Sequence, residues 1–485
     1  MTIPLKVRLR TEVQRTTMTL PGGGESEVLA ARWAALPLPR AGTPERAPVE
    51  LLLKGPTAPA ELDKAAATEG TTGLARWILW AAKARERALI CYRLHSRDGA
   101  VVADLVPTAP DASNLMLETS SSPMAIRVQL SRLAVLHRGR RGMVLDSPGA
   151  SMRVELANDA AAAIAAFAVP VSTVDLAGAL RLTPAFGATE AHSLLSVLLK
   201  AGLLAEVGED GLLAEDRDAV LSQWELPDLL LHARTRTARQ DEPRGGTYRF
   251  AEVRAAPPAV KHAFLESEHS SSADRIILEP PDLAALMSTD PPLARVMEDR
   301  VSGRSLGRLT VGQLSEFCYR SMRVRTHRQT GDGAHHYSMT SRPYPSAGGM
   351  YEFTTYLAVD DCQGLTAGLY RYDPIDHGLD RLAASNPDVE RLLLEGGRAA
   401  NLTTPPPVLV ILAADFRRLS WKYEGIAYAL TLKNAGVLLG MMQLVATAMR
   451  LESCPVGTGD SDLFARAAGT RALEESSVGE FLLGS

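Results

Sequence analysis

Two prolines two residues apart, followed at once by four small residues, sit within Ser341-Arg-Pro-Tyr-Pro-Ser-Ala-Gly-Gly-Met-Tyr351. Each proline fixes φ and removes a backbone donor, so no helix passes through this run. Ser346, Ala347, Gly348 and Gly349 leave almost no side-chain bulk, and the glycines admit positive φ and close approach of the backbone to a flat ligand. Phe353-Thr-Thr-Tyr-Leu-Ala-Val359 follows, β-branched and aromatic, so the loop feeds a strand. A tight small-residue loop entering a buried strand suits a planar cofactor; it also suits an ordinary Pro/Gly turn.

The motif narrows that choice. P-S-A-G-G-M-Y-E-F ahead of a strand resembles the P-S-[SA]-x-N-x-Q-P/W flavin loop of the nitroreductase superfamily. R-P-Y-P-S-A-G-G-M-Y is similar, more closely, to the SagB-type dehydrogenases, which oxidise azolines in ribosomally made peptides. The resemblance covers roughly the last 200 of the 485 residues.

Composition sets the outer bounds. A chain of this length predicts two or three domains. Hydrophobic content of 46% and charged content of 22% permit large cores, and a net charge of −4 gives no footprint for nucleic acid or an anionic membrane. Cys91, Cys318, Cys362 and Cys454 are widely separated, which excludes a disulfide framework and a cysteine-based zinc site. The N-terminus lacks a signal-peptide core. The longest apolar run, Ala435 to Met449, is broken by Gln443 and is shorter than the roughly 18 residues of a membrane span. A soluble, cytoplasmic protein is expected.

The N-terminal half reads as two winged-helix-like α/β units, residues 1–125 and 126–225. In the first, Ala58–Ala67 and Thr72–Lys83 are helical, and Ile90–Leu94 and Ala100–Leu105 are strands around a Ser96–Gly99 turn. In the second, Thr173 caps a short helix to Leu180, and a longer helix runs from Thr189 to Ala201 and stops at Gly202. Leu203–Val207 with Gly211–Ala214 make a wing. Linkers are expected at Pro107–Pro123 and Arg234–Gly246, with 226–275 as a junction. The helix Thr189–Ala201 offers an apolar face with Glu190, unlike the basic or amide face that reads a major groove, so DNA binding is not expected. A wing strand can accept an extended peptide by strand addition. SagB-type relatives carry winged-helix elements that bind a precursor's leader peptide; either wing fits that role here, and so does structural padding.

Residues 276–485 carry the chemistry. After a helix predicted over Asp282–Glu298, Arg300-Val-Ser-Gly-Arg304 puts two guanidiniums and a hydroxyl at i, i+2 and i+4, on one side of an extended chain. It resembles the R-x-S-x-[RK] run that grips the FMN phosphate in nitroreductases. Basic residues from Arg320 to Arg328 lead into Thr330-Gly-Asp-Gly333, read as a mobile surface loop. Strands are expected at Thr354–Val359, Gly368–Tyr372 and Pro407–Ala413. Trp421-Lys-Tyr-Glu424 opens a long helix, Ile426–Leu451, apolar or small nearly all round and therefore expected to be buried. Gly436 and Gly440 within it permit close helix contact. A lysine and tyrosine at the mouth of a buried helix would be desolvated, which lowers a lysine pKa. SagB-type dehydrogenases have a catalytic Lys-Tyr pair in this place, matching Lys422 and Tyr423. Cys454-Pro-Val-Gly-Thr-Gly-Asp460 is read as a second tight loop, similar to the superfamily loop facing flavin N5, with Cys454, Pro455 and Gly457 as lining. Arg466 and Arg471 are further phosphate candidates.

The resemblance thus implies an α+β nitroreductase fold, a mixed sheet between helices, forming a homodimer. FMN would be bound by Arg300, Ser302, Arg304, Pro345, Ser346, Ala347, Gly348, Gly349, Cys454, Pro455 and Gly457, the Pro345–Gly349 loop coming from the partner chain. It implies oxidation of thiazoline or oxazoline rings in a precursor peptide, oxygen as acceptor and a cyclodehydratase as partner. An NAD(P)H-fed flavin reductase, an inactive peptide-binding scaffold and a winged-helix regulator are the alternatives; the Lys-Tyr pair argues against the first, and the complete phosphate and loop motifs against the second.

Overall fold

The computed structural model describes residues 3, 5–19, 23–108, 125–139, 141–180, 182–183, 186–236, 244–260 and 275–485. They form two compact units, Met1–Pro243 and Arg244–Ser485.

In the N-terminal unit the expected hairpin forms, Ile90–His95 against Val101–Pro107. The helices Pro59–Ala66 and Thr71–Glu86 form as well. No division falls at 125, because Met152–Leu156 pairs antiparallel with Val101–Pro107. The resulting six-stranded sheet runs Lys6–Leu9, Ile90–His95, Val101–Pro107, Met152–Leu156, Met143–Asp146, Val135–Arg138. The cause is alternation: Met152, Val154 and Leu156 are buried while Arg153 and Glu155 are less so, and that apolar face packs with Leu94, Leu105 and Val128 in one core.

The second wing differs from expectation. Leu204–Glu206 pairs with Arg127–Leu130, whereas Ala214–Arg217 is a helical turn. The Thr173 hydroxyl exchanges hydrogen bonds with the Ile126 backbone and does not cap the helix that follows. The helix Ala188–Lys200 buries Leu194, Leu195, Val197 and Leu198; its apolar face is core. Most of the expected linkers 107–123 and 234–246 lies outside the described residues.

The C-terminal unit is a seven-stranded sheet between two helical layers. Its elements are β1 (Arg275–Ile277), α1 (Leu283–Thr289), α2 (Leu293–Asp299), α3 (Val311–Met322), β2 (Thr326–Thr330), β3 (Tyr337–Ser341), β4 (Phe353–Val359) and β5 (Gly368–Asp373). They continue with β6 (Gly378–Ala384), α4 (Pro387–Ala399), β7 (Val408–Asp415), α5 (Phe416–Lys422), α6 (Ala427–Ala448), β8 (Glu452–Val456), α7 (Ser461–Ala468) and β9 (Glu475–Gly484). The sheet order is β1-β6-β5-β4-β7-β9-β8. All six ladders are antiparallel, where a mixed sheet was expected. Tight connections such as β5 to β6 return the chain antiparallel; a parallel pair needs a long crossover.

Strand alternation supplies both faces. Leu357, Val410 and Leu412 pack under α3 and α6, and Tyr356, Leu409 and Ile411 pack under α4 and α7. The helix expected over Asp282–Glu298 is two, α1 and α2, because Pro291-Pro292 supplies no N–H to continue it. The basic stretch read as a loop is in part β2, paired with β3.

The central helix α6 is only partly buried, through Thr431, Asn434, Ala435, Leu438, Met442, Gln443 and Ala446. Tyr428 is 50% exposed, and Leu432 and Val437 are exposed as well. Gly436 and Gly440 face open space. At 22 residues it is long and apolar enough to cross a membrane, and its buried side packs on the sheet.

Residues 126–243 alone lack the strands Lys6–Leu9, Ile90–His95 and Val101–Pro107. This fragment should show no cooperative thermal transition by circular dichroism, whereas residues 1–243 should; a sharp transition in the short fragment would overturn the shared-sheet description.

Candidate active site

The register of β4 against β7 brings the site together. Phe353 pairs with Ala414, so the loop entering β4 and the helix leaving β7 emerge at the same end of the sheet. Asp415 caps α5 through Arg417 N, and Leu419 and Trp421 are buried at 1% and 0% exposure. The Trp421 indole donates to Arg254 O at 2.9 Å. With those side chains inward, Lys422 and Tyr423 are left half-buried at the open end of α5.

Gly348 and Gly349 have φ of 58° and 65°. A Cβ on Gly348 would sit 2.3 Å from Tyr423 Oη and 2.9 Å from Lys422 Nζ. The glycine-rich loop and the Lys-Tyr pair therefore share one small space within a single chain. Ser346 Oγ accepts from Tyr351 N at 3.0 Å and from Asn434 Nδ2 at 3.2 Å, and donates to Glu352 Oε2 at 3.2 Å. Asn434 Oδ1 accepts from Ala347 N, and its amide donates to Glu352 Oε1 at 2.9 Å. Burial pushes the Glu352 carboxyl up, against the hydrogen bonds from Asn434 and Ser346. Pro345 and Gly348 remain exposed at the loop tip.

Lys422 Nζ donates to Tyr337 Oη at 2.8 Å and to Gly348 O at 3.4 Å. It also lies over the rings of Tyr337, Tyr248 and Tyr423, at 4.9, 5.5 and 5.7 Å from their centroids. The expected fall in its pKa does not occur. Burial does lower it, but the Tyr337 hydrogen bond and the hydroxyls of Tyr423, Tyr337 and Tyr248 outweigh burial, and the net direction is up. The Tyr423 phenol is also raised, by burial, with Lys422 opposing.

Residues 244–260 belong to this site and not to a linker. Gly245 and Glu424 exchange backbone hydrogen bonds at 3.0 and 2.9 Å, and Tyr248 N donates to Lys422 O. Arg418, 2% exposed, ties this segment to the loop and to β3 by donating to Pro257 O, to Met350 O at 2.7 Å and to Ser338 O at 3.2 Å. Sequence reading missed Tyr248, Tyr337, Glu352 and Arg418. The aromatic Gly-Gly-Thr-Tyr-Arg-Phe250 was the available signal for the first.

The other expected binding residues lie elsewhere. Arg300, Ser302 and Arg304 are exposed on extended chain. Ser302 Oγ accepts from Gln443 Nε2 at 3.4 Å, Arg304 Nε donates to Ala400 O, and Arg300 has no partner among the described residues. Gln443 is nine residues beyond Asn434, about 13 Å along α6 and about half a turn around it. One chain therefore does not bring the Arg300–Arg304 segment and the Pro345–Gly349 loop together. Cys454 and Pro455 are not in a loop but in the edge strand β8, where a missing proline N–H is tolerated. Cys454 packs in the core under α4 and α7, and only Gly457 and the residues after it form an exposed loop. Arg466 pairs with Asp388 and Arg471 with Glu474.

The residues present fit a flat, phosphate-bearing cofactor: a glycine-rich loop surface beside a cation, and a separate exposed segment with an exposed serine and an arginine that has no partner among the described residues.

Residues 128–241 match the family model of the cyanobactin oxidase ThcOx, and residues 328–484 match that of the nitroreductase family. A curated relative, "Putative nitroreductase MJ1384" of Methanocaldococcus jannaschii, is 26% identical over 113 residues, 23% of this chain. The chain spans 56% of that relative's length. Among solved structures, a "putative nitroreductase" of Ralstonia eutropha is 20% identical, covering 50% of this chain and 98% of that one, with a TM-score of 0.35. The Escherichia coli microcin synthetase McbBCD complex with truncated pro-MccB17 bound is 18% identical over 49% of this chain and 86% of that one, with a TM-score of 0.32. Residues 328–484 thus form a nitroreductase-type domain, and residues 128–241 ahead of it form a segment similar to the cyanobactin oxidase ThcOx.

Proposed function

We propose that this protein is an FMN-dependent dehydrogenase that oxidises thiazoline or oxazoline rings of a ribosomally made precursor peptide to the aromatic azoles. The observation that carries the reading is the Lys422–Tyr423 pair lying against Gly348 of the glycine-rich loop, in a chain whose residues 128–241 match the cyanobactin oxidase model and 328–484 the nitroreductase model. Arg300, Ser302 and Arg304 would hold the phosphate, and Pro345–Gly349 with Gly457 would line the ring. FMN bound there supplies a two-electron hydride acceptor that oxygen regenerates.

Azoline oxidation removes two hydrogens, the ring Cα proton and a hydride from the neighbouring ring carbon. This chain's part is to hold the ring and take the proton at Lys422 Nζ or Tyr423 Oη. In the substrate-free site the pair is an ammonium beside a phenol, so a free lone pair arises only when a proton leaves. Because the Lys422 pKa is raised, the base form grows as pH climbs into the alkaline range.

A homodimer completes the site in this reading, the Pro345–Gly349 loop of one copy meeting the Arg300–Arg304 segment of the other. The separation of these segments around α6, and the exposed Tyr428, Leu432, Gly436, Val437 and Gly440 along it, support that arrangement. The N-terminal unit would capture the leader, with a cyclodehydratase supplying the azoline, in the cytoplasm.

The purified protein should be yellow, with about one FMN per chain, and Arg300→Ala with Arg304→Ala should strip the flavin through loss of charge-assisted bonds. Full occupancy in the double variant, read by absorbance, contradicts the phosphate assignment. Light scattering on a size-exclusion column should give twice the 52.0 kDa chain mass; a flavin-loaded active monomer is incompatible with the shared site.

Lys422→Ala and Tyr423→Phe should keep flavin and fold while slowing anaerobic flavin reduction by an azoline peptide about 10²–10⁴-fold. In the unaltered protein that rate should rise with pH. Parent-rate reduction in both variants would make the pair structural.

A further inference from the structure

We propose that Tyr337 is the third member of the Lys422–Tyr423 site, a positioning residue whose hydroxyl holds the lysine ammonium over the Gly348 carbonyl. The inference rests on reading Lys422–Tyr423 as the proton-handling pair and adds to it what keeps the lysine in place.

Tyr337 opens β3, the strand that runs directly into the glycine-rich loop, and is 8% exposed. Its ring packs 5.7 Å from that of Trp421 and 6.5 Å from that of Tyr248. This fixes the ring on the same buried tryptophan that anchors α5, so Oη and Nζ are placed by one common support. Two of the three ammonium protons are accounted for, by Tyr337 Oη at 2.8 Å and Gly348 O at 3.4 Å.

Lys422 forms no ion pair with a carboxylate among the described residues. The groups facing it are Tyr337 from β3, Tyr248 from the 244–260 segment, Tyr423 beside it and the Gly348 carbonyl from the loop. Behind them, His335 packs tilted against Tyr248 with ring centroids 4.8 Å apart. Glu424 is turned to the Thr247 hydroxyl at 3.0 Å and to Arg249 at 3.5 Å, and Glu352 is held by Ser346 and Asn434. A carboxylate partner would lock the lysine as a cation. Neutral acceptors hold it in position yet leave the proton removable, which is what a lysine that must alternate between charged and neutral forms requires. Of these acceptors only the Tyr337 hydroxyl is at short hydrogen-bonding distance, and its bond is the leading influence opposing burial on the Lys422 proton.

The test is competitive acetylation of the flavin-loaded protein with acetic anhydride across pH, read at Lys422 by peptide mass spectrometry with exposed Lys433 as internal reference. Lys422 in the unaltered protein should deprotonate above the ordinary lysine range; a midpoint below that range overturns the proposal without any variant. Tyr337→Phe keeps the ring on Trp421 and removes only the acceptor. It should lower the Lys422 midpoint and speed its labelling several-fold at fixed pH, leave Lys433 unchanged, and move the pH profile of azoline oxidation the same way. An unmoved midpoint in a variant with normal flavin absorbance and circular dichroism overturns it. Labelling does not need turnover, so a lowered midpoint in a protein that oxidises no azoline supports Tyr337 and overturns the function proposed above. Normal oxidation with an unmoved midpoint rejects Tyr337 alone.

Discussion

The absence of a side chain at Gly348 is the constraint on which the site depends. Its backbone sits where any Cβ would collide with Tyr423 Oη and press on Lys422 Nζ. Positive φ at both Gly348 and Gly349 turns the loop into that space, a conformation that costs a side-chain-bearing residue dearly. The loop, the lysine and the tyrosine are thus one object, and what holds it is the antiparallel register that puts the start of β4 beside the end of β7.

Buried charge keeps this object rigid. Arg418 spends its donors on carbonyls from the 244–260 segment, the loop and β3, and burial with neighbouring Arg342 pushes its pKa down to about 10. Arg342 does similar work on Ala259 O at 3.1 Å. Glu352 and Asn434 pin Ser346 and Ala347 to α6. Breaking one partner of such a buried network leaves the other unpaired, which is costlier than the bond itself. The strain in the loop is therefore held by groups that carry no chemistry.

The two units were legible to different degrees. In the C-terminal unit the strands near 354–359, 368–372 and 407–413 and the long helix after Trp421 followed from periodicity and from the Pro/Gly punctuation, and the R-P-Y-P-S-A-G-G-M-Y run pointed to the family; α3, α4, α7 and β9 went unread. Reading α6 as buried all round went too far, since an apolar surface on a helix does not say what covers it. Treating β8 as a loop followed from Pro455 and Gly457, when the edge position of β8 makes proline acceptable. In the N-terminal unit the alternation of Met152, Val154 and Leu156 is a strand pattern that the sequence reading passed over, and nothing local names its partner about fifty residues upstream.

Sequence alone supplied the candidate residues: the glycine-rich loop, the Lys422–Tyr423 dipeptide and the Arg300–Arg304 segment. Those are local choices, written in consecutive residues. Only the tertiary structure decided that Gly348 lies against Lys422 and Tyr423, that Tyr337 and Tyr248 surround the lysine, and that the Arg300–Arg304 segment lies across α6 from the loop. It also reversed the direction of the lysine's pKa. Burial was legible from the apolar neighbours, but the opposing hydrogen bond comes from a tyrosine 85 residues away, and a pKa is set by whichever groups the fold brings within reach.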